Sequence, residues 1–405
     1  MSPASDPAER GHNLTSSRTS PPAGEGIRPF KVEVPEAMLV DLRERLARTR
    51  WPDSLPGAGW DQGTDLAYLQ ALCETWRTRY DWRKHERALN RWPQFTTTVD
   101  GQNLHFVHAK SKHAGAFPLV ITHGWPGSIV EFQKLLPLLV DPPDPQDAFH
   151  VVCPSLPGYG FSGPTRERGW DPERIARAEL ELMRRLGYPR YGAQGGDWGA
   201  VVTSWLGKLD AAHCAGIHLN MLLAPRPPDA KPESLPPDEQ VRLARAGAFR
   251  NDGAGYQAIQ GTKPQTLAYG LTDSPAGLAG WIVEKFRAWS DCKGDVESVF
   301  TRDELLTNIT VYWVTGTINS SMRLYYEMRK SATLPFADGR IEVPTGVAVF
   351  PQEIGNAPRT WAERYYDIRH WSVYDAGGHF AAMERPEELA ADLRTCFRPL
   401  RRAAA

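Results

Sequence analysis

The stretch Gln194-Gly195-Gly196-Asp197-Trp198-Gly199 decides how this 405-residue chain folds. A short strand-like approach, residues 191–193, precedes it, and a helix-like apolar run follows it (Ala200, Val201, Val202, Trp205 and Leu206). Strand, glycine-flanked polar residue and helix form the layout of a nucleophile elbow, in which the central residue is usually Ser. The glycines are needed because the central residue is strained and neighbouring backbone passes close by. A carboxylate, Asp197, therefore stands where the nucleophile is expected.

Short apolar segments alternate with helical patterns around this elbow. Residues 118–123 are almost wholly apolar, as expected for a parallel strand that is buried on both faces, and residues 149–153 and 217–221 are predicted as further strands. Asp100-Gly101 separates two alternating segments, 95–99 and 104–108, and predicts a hairpin. The chain is therefore predicted to be an α/β protein with a mostly parallel, doubly wound sheet.

The pattern divides the chain into five parts. We predict a disordered lead (1–27), an N-terminal helical extension that wraps the core (28–93), a first core part (94–223), a helical cap (224–340) and a second core part (341–405). The proline-dense residues 224–237 mark where the sheet pattern breaks. Apolar periodicity predicts helices at residues 35–48, 64–80, 130–139, 171–186, 238–248, 275–289, 302–313, 320–331 and 387–397.

Composition excludes several classes of protein. The formal net charge of −1 gives no reason to expect a nucleic acid or an anionic membrane as partner. The five cysteines are scattered, which argues against a disulfide framework or a zinc site and favours a reducing compartment. No apolar run approaches the ~18 residues that span a bilayer, and residues 1–26 lack the apolar core of a secretory signal. We therefore expect a soluble, cytoplasmic protein without a membrane anchor, metal or cofactor.

Two further residues complete a catalytic order with Asp197. His379 sits in a glycine-rich turn near the C-terminus, and Glu353 stands just past the strand pattern of residues 347–349. Nucleophile, acid and then histidine is the chain order of an α/β-hydrolase triad. Three other acids compete with Glu353: Asp338 precedes the strand, Asp367 lies in a charged helix-like stretch, and Asp375 is so near His379 that it is expected to shape the turn. Glu353 is preferred because it follows the carboxyl end of a strand.

With these residues in place, the chain resembles the microsomal-type epoxide hydrolases of the α/β-hydrolase superfamily, from Arg28 to about residue 399. The resemblance rests on several motifs in order. They are His123-Gly124-Trp125-Pro126-Gly127-Ser128, Gly195-Gly196-Asp197-Trp198-Gly199, Gly255-Tyr256 with Thr262-Lys263-Pro264, Asp273-Ser274-Pro275-Ala276-Gly277-Leu278, Tyr312-Trp313 with Thr315-Gly316-Thr317, and Gly377-Gly378-His379-Phe380-Ala381.

The resemblance implies a role for each site residue. Asp197 would be the nucleophile, His379 the base and Glu353 the acid that orients the imidazole. Tyr256 would be the first cap tyrosine, and Tyr325, in Arg323-Leu324-Tyr325-Tyr326-Glu327, the second. A tyrosine stands at 326 where the family usually has lysine, so Tyr326 competes with Tyr325. The backbone N–H groups of Trp125 and Trp198 would form the oxyanion hole.

The chemistry of these residue types agrees with that function. A carboxylate that attacks an epoxide carbon leaves an ester, which water can cleave, whereas a serine would leave a stable ether. Two alternatives stay open. A haloalkane dehalogenase shares the Asp nucleophile, and Trp198 could serve a halide; an inactive binding protein on the same scaffold is the alternative of another class.

The sequence leaves the substrate and its purpose open. Its 14 Trp and 14 Phe suggest an apolar, aromatic-compatible epoxide, or equally a large core. The expected partners are the epoxide and water. Detoxification and secondary-metabolite biosynthesis are both compatible with the family, and the sequence neither requires nor excludes a homodimer.

Overall fold

The computed structural model describes residues 26–401. The predicted disordered lead therefore lies, except for its last two residues, outside the described residues. Nine strands form one sheet: β1 Arg28–Phe30, β2 Gln94–Val99, β3 Gln102–Ala109, β4 Phe117–Thr122, β5 Phe149–Pro154, β6 Tyr191–Gly195, β7 Cys214–Leu219, β8 Ile341–Val349 and β9 Tyr366–Val373.

The sheet runs in the order β1-β2-β3-β5-β4-β6-β7-β8-β9. The pairs from β5 through β4, β6, β7 and β8 to β9 are parallel, whereas β1, β2 and β3 join one edge antiparallel. The predicted hairpin links β2 to β3, and its turn residues Asp100 and Gly101 both have positive φ, 48° and 73°. This is the backbone that a two-residue hairpin turn requires. The predicted α/β fold is thus confirmed.

Fifteen helices accompany the strands within residues 26–401. They are α1 Glu36–Ala47, α2 Leu66–Thr78, α3 Trp82–Leu89, α4 Leu135–Val140, α5 Pro172–Arg185, α6 Asp197–Leu209, α7 Pro237–Ala248, α8 Gly255–Gln260, α9 Pro264–Asp273, α10 Pro275–Trp289, α11 Arg302–Thr315, α12 Ile318–Ser331, α13 Arg359–Ala362, α14 Ala381–Glu384 and α15 Pro386–Phe397. None of these helices has the length and apolar character that crossing a bilayer requires.

Helices cover both faces of the sheet, so its central strands are buried on each side. Leu119, Val120 and Ile121 of β4 are all fully buried. Val120 packs in a cluster with residues of α5 and α6, whereas Leu119 and Ile121 pack with residues of α4 and α15. The alternation follows from the two-residue period of a strand, which sends successive side chains to opposite faces.

The six helices α7 to α12 lie between β7 and β8 in the chain, and the N-terminal segment packs against them. Trp76 Nε1 of α2 donates a hydrogen bond to Thr310 Oγ1 of α11 over 3.0 Å. Thr64 Oγ1 donates to the carbonyl of Gly280 in α10 over 2.7 Å. These contacts tie the first helices to the inserted ones.

Several expectations about local structure were wrong. The N-terminal segment is not only helical, because Arg28–Phe30 adds a strand to the sheet edge. The helix predicted at 130–139 is broken into a 3₁₀ turn, Ile129–Phe132, and α4. Pro137 has no N–H to donate to the carbonyl of Gln133, so a continuous helix through this point would lack a hydrogen bond. Helix α4 instead begins at Leu135, which places Pro137 in its first turn. Helices α3, α8 and α9 were missed, since short segments carry too few apolar repeats to register.

Candidate active site

Asp197 stands at the junction of β6 and α6, as the elbow pattern predicts. Its φ is +49°, in the left-handed region that non-glycine residues rarely adopt. The turn is tight because α6 passes close to β4: a Cβ on Gly199 would lie 1.9 Å from the carbonyl oxygen of Thr122. The packing thus holds a strained residue, which projects its carboxylate from the carboxyl edge of the parallel strands.

Two groups contact the Asp197 carboxylate directly. The backbone N–H of Trp125, from the loop after β4, donates to Oδ1 over 2.7 Å. His379 Nε2 lies 3.4 Å from Oδ2. The structure therefore brings together the loop, the elbow and the C-terminal histidine, which are separated widely in the chain. The amide of Trp198, the other predicted oxyanion donor, follows Asp197 as the second residue of α6, and its role stays a prediction.

Glu353 follows β8 and holds the imidazole of His379. Its Oε1 and Oε2 lie 2.8 and 3.1 Å from His379 Nδ1. The backbone N–H groups of Ile354 and Gly355 donate to Oε1 over 2.7 and 3.3 Å, which fixes the carboxylate. A bond from His379 N to the carbonyl of Trp289 holds the other side of the histidine at 2.9 Å. The geometry thus leaves Nε2 facing Asp197.

Among the competing acids, Asp367 was assigned to the wrong element. It lies in β9, where it forms ion pairs with Arg340 and Arg369 at 3.3 and 2.8 Å. The charges around it suggested a helix, but an edge strand carries charged side chains equally well. Of the four candidate acids, Glu353 is the one whose carboxylate is paired with His379 Nδ1.

The charge of His379 depends on its two carboxylate neighbours. Burial by itself disfavours the imidazolium, yet the negative charge of Glu353 and the hydrogen bond with Asp197 prevail and raise the pKa of His379 well above its usual range. The resting site therefore favours a charged imidazole between two carboxylates. Loss of the Asp197 charge would remove part of that stabilisation and lower the pKa of His379 again.

Tyr256 of α8 and Tyr325 of α12 face the carboxylate from the inserted helices. Their rings lie 5.7 Å apart, and both line one pocket with Asp197. Burial, then the charge of Asp197, raises the pKa of Tyr256, and burial raises that of Tyr325, so both phenols keep their protons. Tyr326 is half-buried and is not among the residues that line this pocket.

The two phenols differ in their hydrogen bonds. Tyr256 OH accepts a bond from Gln257 Nε2 over 3.0 Å. Tyr325 OH lies close to the Tyr256 and Trp198 side chains, but no hydrogen bond of normal geometry reaches it. A buried hydroxyl without a partner is costly, and such a group at a pocket wall is free to bind a ligand oxygen.

Two ionisable residues at the site were not predicted from the sequence. Glu131 follows the Trp125 loop and lines a small cavity with Asp197 and His379. Lys285 of α10 is buried, and its Nζ lies 4.7 Å from the centre of the Tyr256 ring. Glu131 was detectable as a lone acid within the apolar stretch Ile129-Val130-Glu131-Phe132. Lys285 gave a weaker signal, because it lies on the buried side of its helix but has Glu284 next to it in the chain and forms an ion pair with it.

Comparison with known proteins agrees with the fold. Residues 27–132 match the family model for the epoxide hydrolase N terminus, and residues 118–271 match the α/β hydrolase fold. A Stigmatella aurantiaca protein with an epoxide hydrolase designation is 52% identical over 93% of this chain and 86% of its own length. Epoxide hydrolase 1 of Sus scrofa is 37% identical, covering 93% of this chain and 90% of its own.

A solved structure agrees equally well. The crystal structure of juvenile hormone epoxide hydrolase from the silkworm Bombyx mori superposes with a TM-score of 0.88 at 33% identity, over 94% of this chain and 96% of that chain. The likeness runs through the N-terminal segment, the sheet and the inserted helices alike. The chain therefore belongs to the epoxide hydrolase family of the α/β-hydrolase superfamily.

Proposed function

We propose that this enzyme converts an apolar epoxide and water to a vicinal diol through a covalent ester on Asp197. The observation that carries the proposal is the placement of two buried phenols opposite the elbow carboxylate in one pocket. A carboxylate can attack a saturated carbon, and a phenol can protonate the oxygen that leaves it. The residues that would hold the substrate are thus also the residues that would react with it.

In the first step, a carboxylate oxygen of Asp197 forms a bond to one ring carbon while the bond from that carbon to the epoxide oxygen breaks. The electron pair goes to the epoxide oxygen, which takes a proton from Tyr256 or Tyr325. The buried cation of Lys285 over the face of Tyr256 favours the phenolate that develops there. Such general-acid assistance is worth ~10²–10⁴-fold in rate.

In the second step, water cleaves the ester. Because esterification removes the charge of Asp197, the pKa of His379 falls, and the imidazolium gives up its proton, which replaces the one that the phenol lost. The neutral Nε2 can then take a proton from water. Glu353 stabilises the imidazolium that results. The water oxygen bonds to the Asp197 carbonyl carbon, and the N–H groups of Trp125 and Trp198 would meet the oxyanion. The diol leaves with the proton from His379, and the remaining water proton passes from Asp197 to His379, which restores the carboxylate, now with an oxygen from water.

The pocket supports an apolar substrate. Its volume is about 310 Å³, near the lower end for small-molecule sites. Beyond Asp197 and the two phenols its wall is largely apolar, with Met221, Leu223, Phe249, Met328, Leu334, Pro335, Phe336 and Ile354. A compact epoxide with an aromatic or aliphatic substituent fits this lining better than a charged one.

Single-turnover reaction in heavy-oxygen water tests the mechanism. With enzyme in excess over styrene oxide, the label should enter Asp197 and not the diol of the first turnover. Label in that diol would mean that water attacks the epoxide directly. The Asp197→Ala variant serves as control and should release no diol, which also separates an enzyme from an inactive binding protein.

One observation favours a second activity at the same site. The indole Nε1 of Trp198 is buried without a hydrogen-bond partner, and Trp198 lines the pocket beside Asp197. An unpaired N–H at this place could bind a departing halide, so a haloalkane dehalogenase is the second candidate. Bromide release from a primary bromoalkane, compared with diol release under the same conditions, decides between the two.

The remaining expectations stay proposals. We propose that residues 28–93 wrap the core and that residues 224–340 form a cap over it, which the contacts of Trp76 and Thr64 support. A cytoplasmic location is supported by the five cysteines, all of which are buried and free. A homodimer is tested by the mass of the protein in solution.

A further inference from the structure

A second, much smaller cavity also has Asp197 in its wall and shares no other lining residue with the substrate pocket. Its volume is about 20 Å³, and Asp197, His379, Glu131, Gly124 and Asn220 are among the residues that line it. A cavity of this size holds one water molecule when enough polar groups surround it. Water placed here would lie beside both the base and the carbon that the proposed mechanism requires it to attack.

Glu131 is built into the wall of this cavity. A Cβ at Gly127 would lie 1.5 Å from Glu131 Oε1, so the glycine of the motif leaves room for the carboxyl group. The backbone N–H of Gly124 lies close to the same carboxyl and opposes the rise of its pKa. Protein atoms surround the Glu131 side chain. It is nevertheless only half-buried, and it lines the cavity.

The protonation state of Glu131 suits a role beside an anionic intermediate. Burial raises its pKa to about 8, and the charge of Asp197 adds to this while that of His379 opposes it. The carboxyl group is therefore mainly neutral at pH 7 and can both donate and accept a hydrogen bond. A neutral group also adds no negative charge next to the oxyanion that forms on Asp197.

We propose that Glu131 is a positioning residue that holds the hydrolytic water against His379 and the ester carbon of Asp197. The inference rests on the proposed covalent mechanism. The water donates one hydrogen to His379 Nε2 and the other to the carbonyl oxygen of Glu131, so that a lone pair faces the ester carbon. The first of these protons moves from water to His379 and then to the departing diol oxygen; the second stays on the new oxygen of Asp197 and returns to His379 as the carboxylate is restored. Glu131 ends the cycle with its own proton.

The proposal predicts a specific kinetic change. Glu131→Leu removes the water contact after the ester has formed, so ester cleavage should slow on the order of 10²-fold, as for a misplaced reactant. Because ring opening is untouched, kcat and KM should fall by the same factor and kcat/KM should stay unchanged. The ester should accumulate and appear in the intact mass of the enzyme. Glu131→Gln keeps a donor and an acceptor and should restore most of the cleavage rate.

Glu179 provides a matched control. It is a fully buried glutamate whose pKa burial also raises to about 8, but it contacts Thr122 Oγ1 at 2.9 Å and is not among the cavity-lining residues. Glu179→Leu should lower stability without any accumulation of ester. A loss of kcat/KM in Glu131→Leu with ester cleavage at the wild-type rate would overturn the proposal.

Two further variants keep the test open if leucine disturbs folding. Glu131→Met replaces glutamate with a side chain of more similar shape than leucine. Gly127→Ala keeps Glu131 but places a methyl group where its carboxyl group lies. Both variants should slow ester cleavage, and normal cleavage in both would refute the role of Glu131. The wild-type heavy-water experiment separates this failure from failure of the mechanism. Label in Asp197 with normal cleavage in the Glu131 variants rejects the inference alone, whereas label in the first diol rejects both.

Discussion

Tyr325→Phe should separate activity from stability, because the Tyr325 hydroxyl has no hydrogen bond of normal geometry in the resting site. Removing it leaves no partner unpaired, and phenylalanine keeps the ring contacts with Trp198 and Tyr256 at 4.7 and 5.7 Å. An unsatisfied buried polar group costs ~1–3 kcal/mol. We therefore expect the free energy of unfolding to stay unchanged or to rise by ~1 kcal/mol.

The same substitution should lower catalytic activity strongly, although it leaves stability unchanged or higher. General-acid assistance contributes ~10²–10⁴-fold, and Tyr256 remains as a second donor in the variant. We expect kcat/KM to fall by ~10²-fold, which corresponds to ~2.7 kcal/mol of transition-state stabilisation. The loss belongs to ring opening, so the ester should form more slowly and be cleaved at the wild-type rate.

Diol formation from styrene oxide and chemical denaturation measure the two quantities on the same preparation. Tyr326→Phe is the matched control: it lies one residue further on and outside the pocket lining, so its activity should equal wild type. Destabilisation of Tyr325→Phe by more than ~1 kcal/mol, the size of one net hydrogen bond, would show that the hydroxyl is bonded in the resting state. Activity within threefold of wild type would remove Tyr325 from the mechanism, and a damaging Tyr326→Phe would shift the assignment by one residue.

Three more predictions follow from the same geometry. His379→Gln should accumulate the ester, seen as one added substrate mass; turnover without any adduct would count against His379 as the base for ester cleavage. Lys285→Met removes the cation 4.7 Å from the Tyr256 ring and should slow ester formation ~5–30-fold, for ~1–2 kcal/mol of cation–π stabilisation, while ester cleavage keeps its rate; an unchanged rate of ester formation would dismiss the role of Lys285. Glu179 has a folded-state pKa of about 8, above its unfolded value, so between pH 4.5 and 8 the native state holds a proton that the unfolded state has lost, and stability falls as pH rises. Glu179→Gln should therefore gain stability relative to wild type by ~1.4 kcal/mol for each pH unit in that window, and a gain independent of pH in denaturation experiments would contradict the raised pKa.

Much of the candidate site could be predicted from sequence, because its backbone is unusual. Asp197 and His379 stand among glycines that a strained turn and close packing require, so local composition marks their places. Glu353 was preferred to Asp367 because it follows the carboxyl end of a strand, where sites form in open α/β sheets. That rule uses chain topology and needs no knowledge of side-chain contacts. Tyr325 could be named by resemblance, but its preference over Tyr326 depends on which of the two faces the pocket.

The sequence by itself determined the α/β-hydrolase fold and the family, because strand and helix periods, turn residues and motif order are local properties. Tertiary structure alone decided which side chains meet. It brings Glu131 and Asp197 to one cavity and Lys285 to the Tyr256 ring, although each pair is far apart in the chain. It also sets the charge of His379, because a pKa depends on burial and on neighbouring charges, and these exist only after the chain has folded.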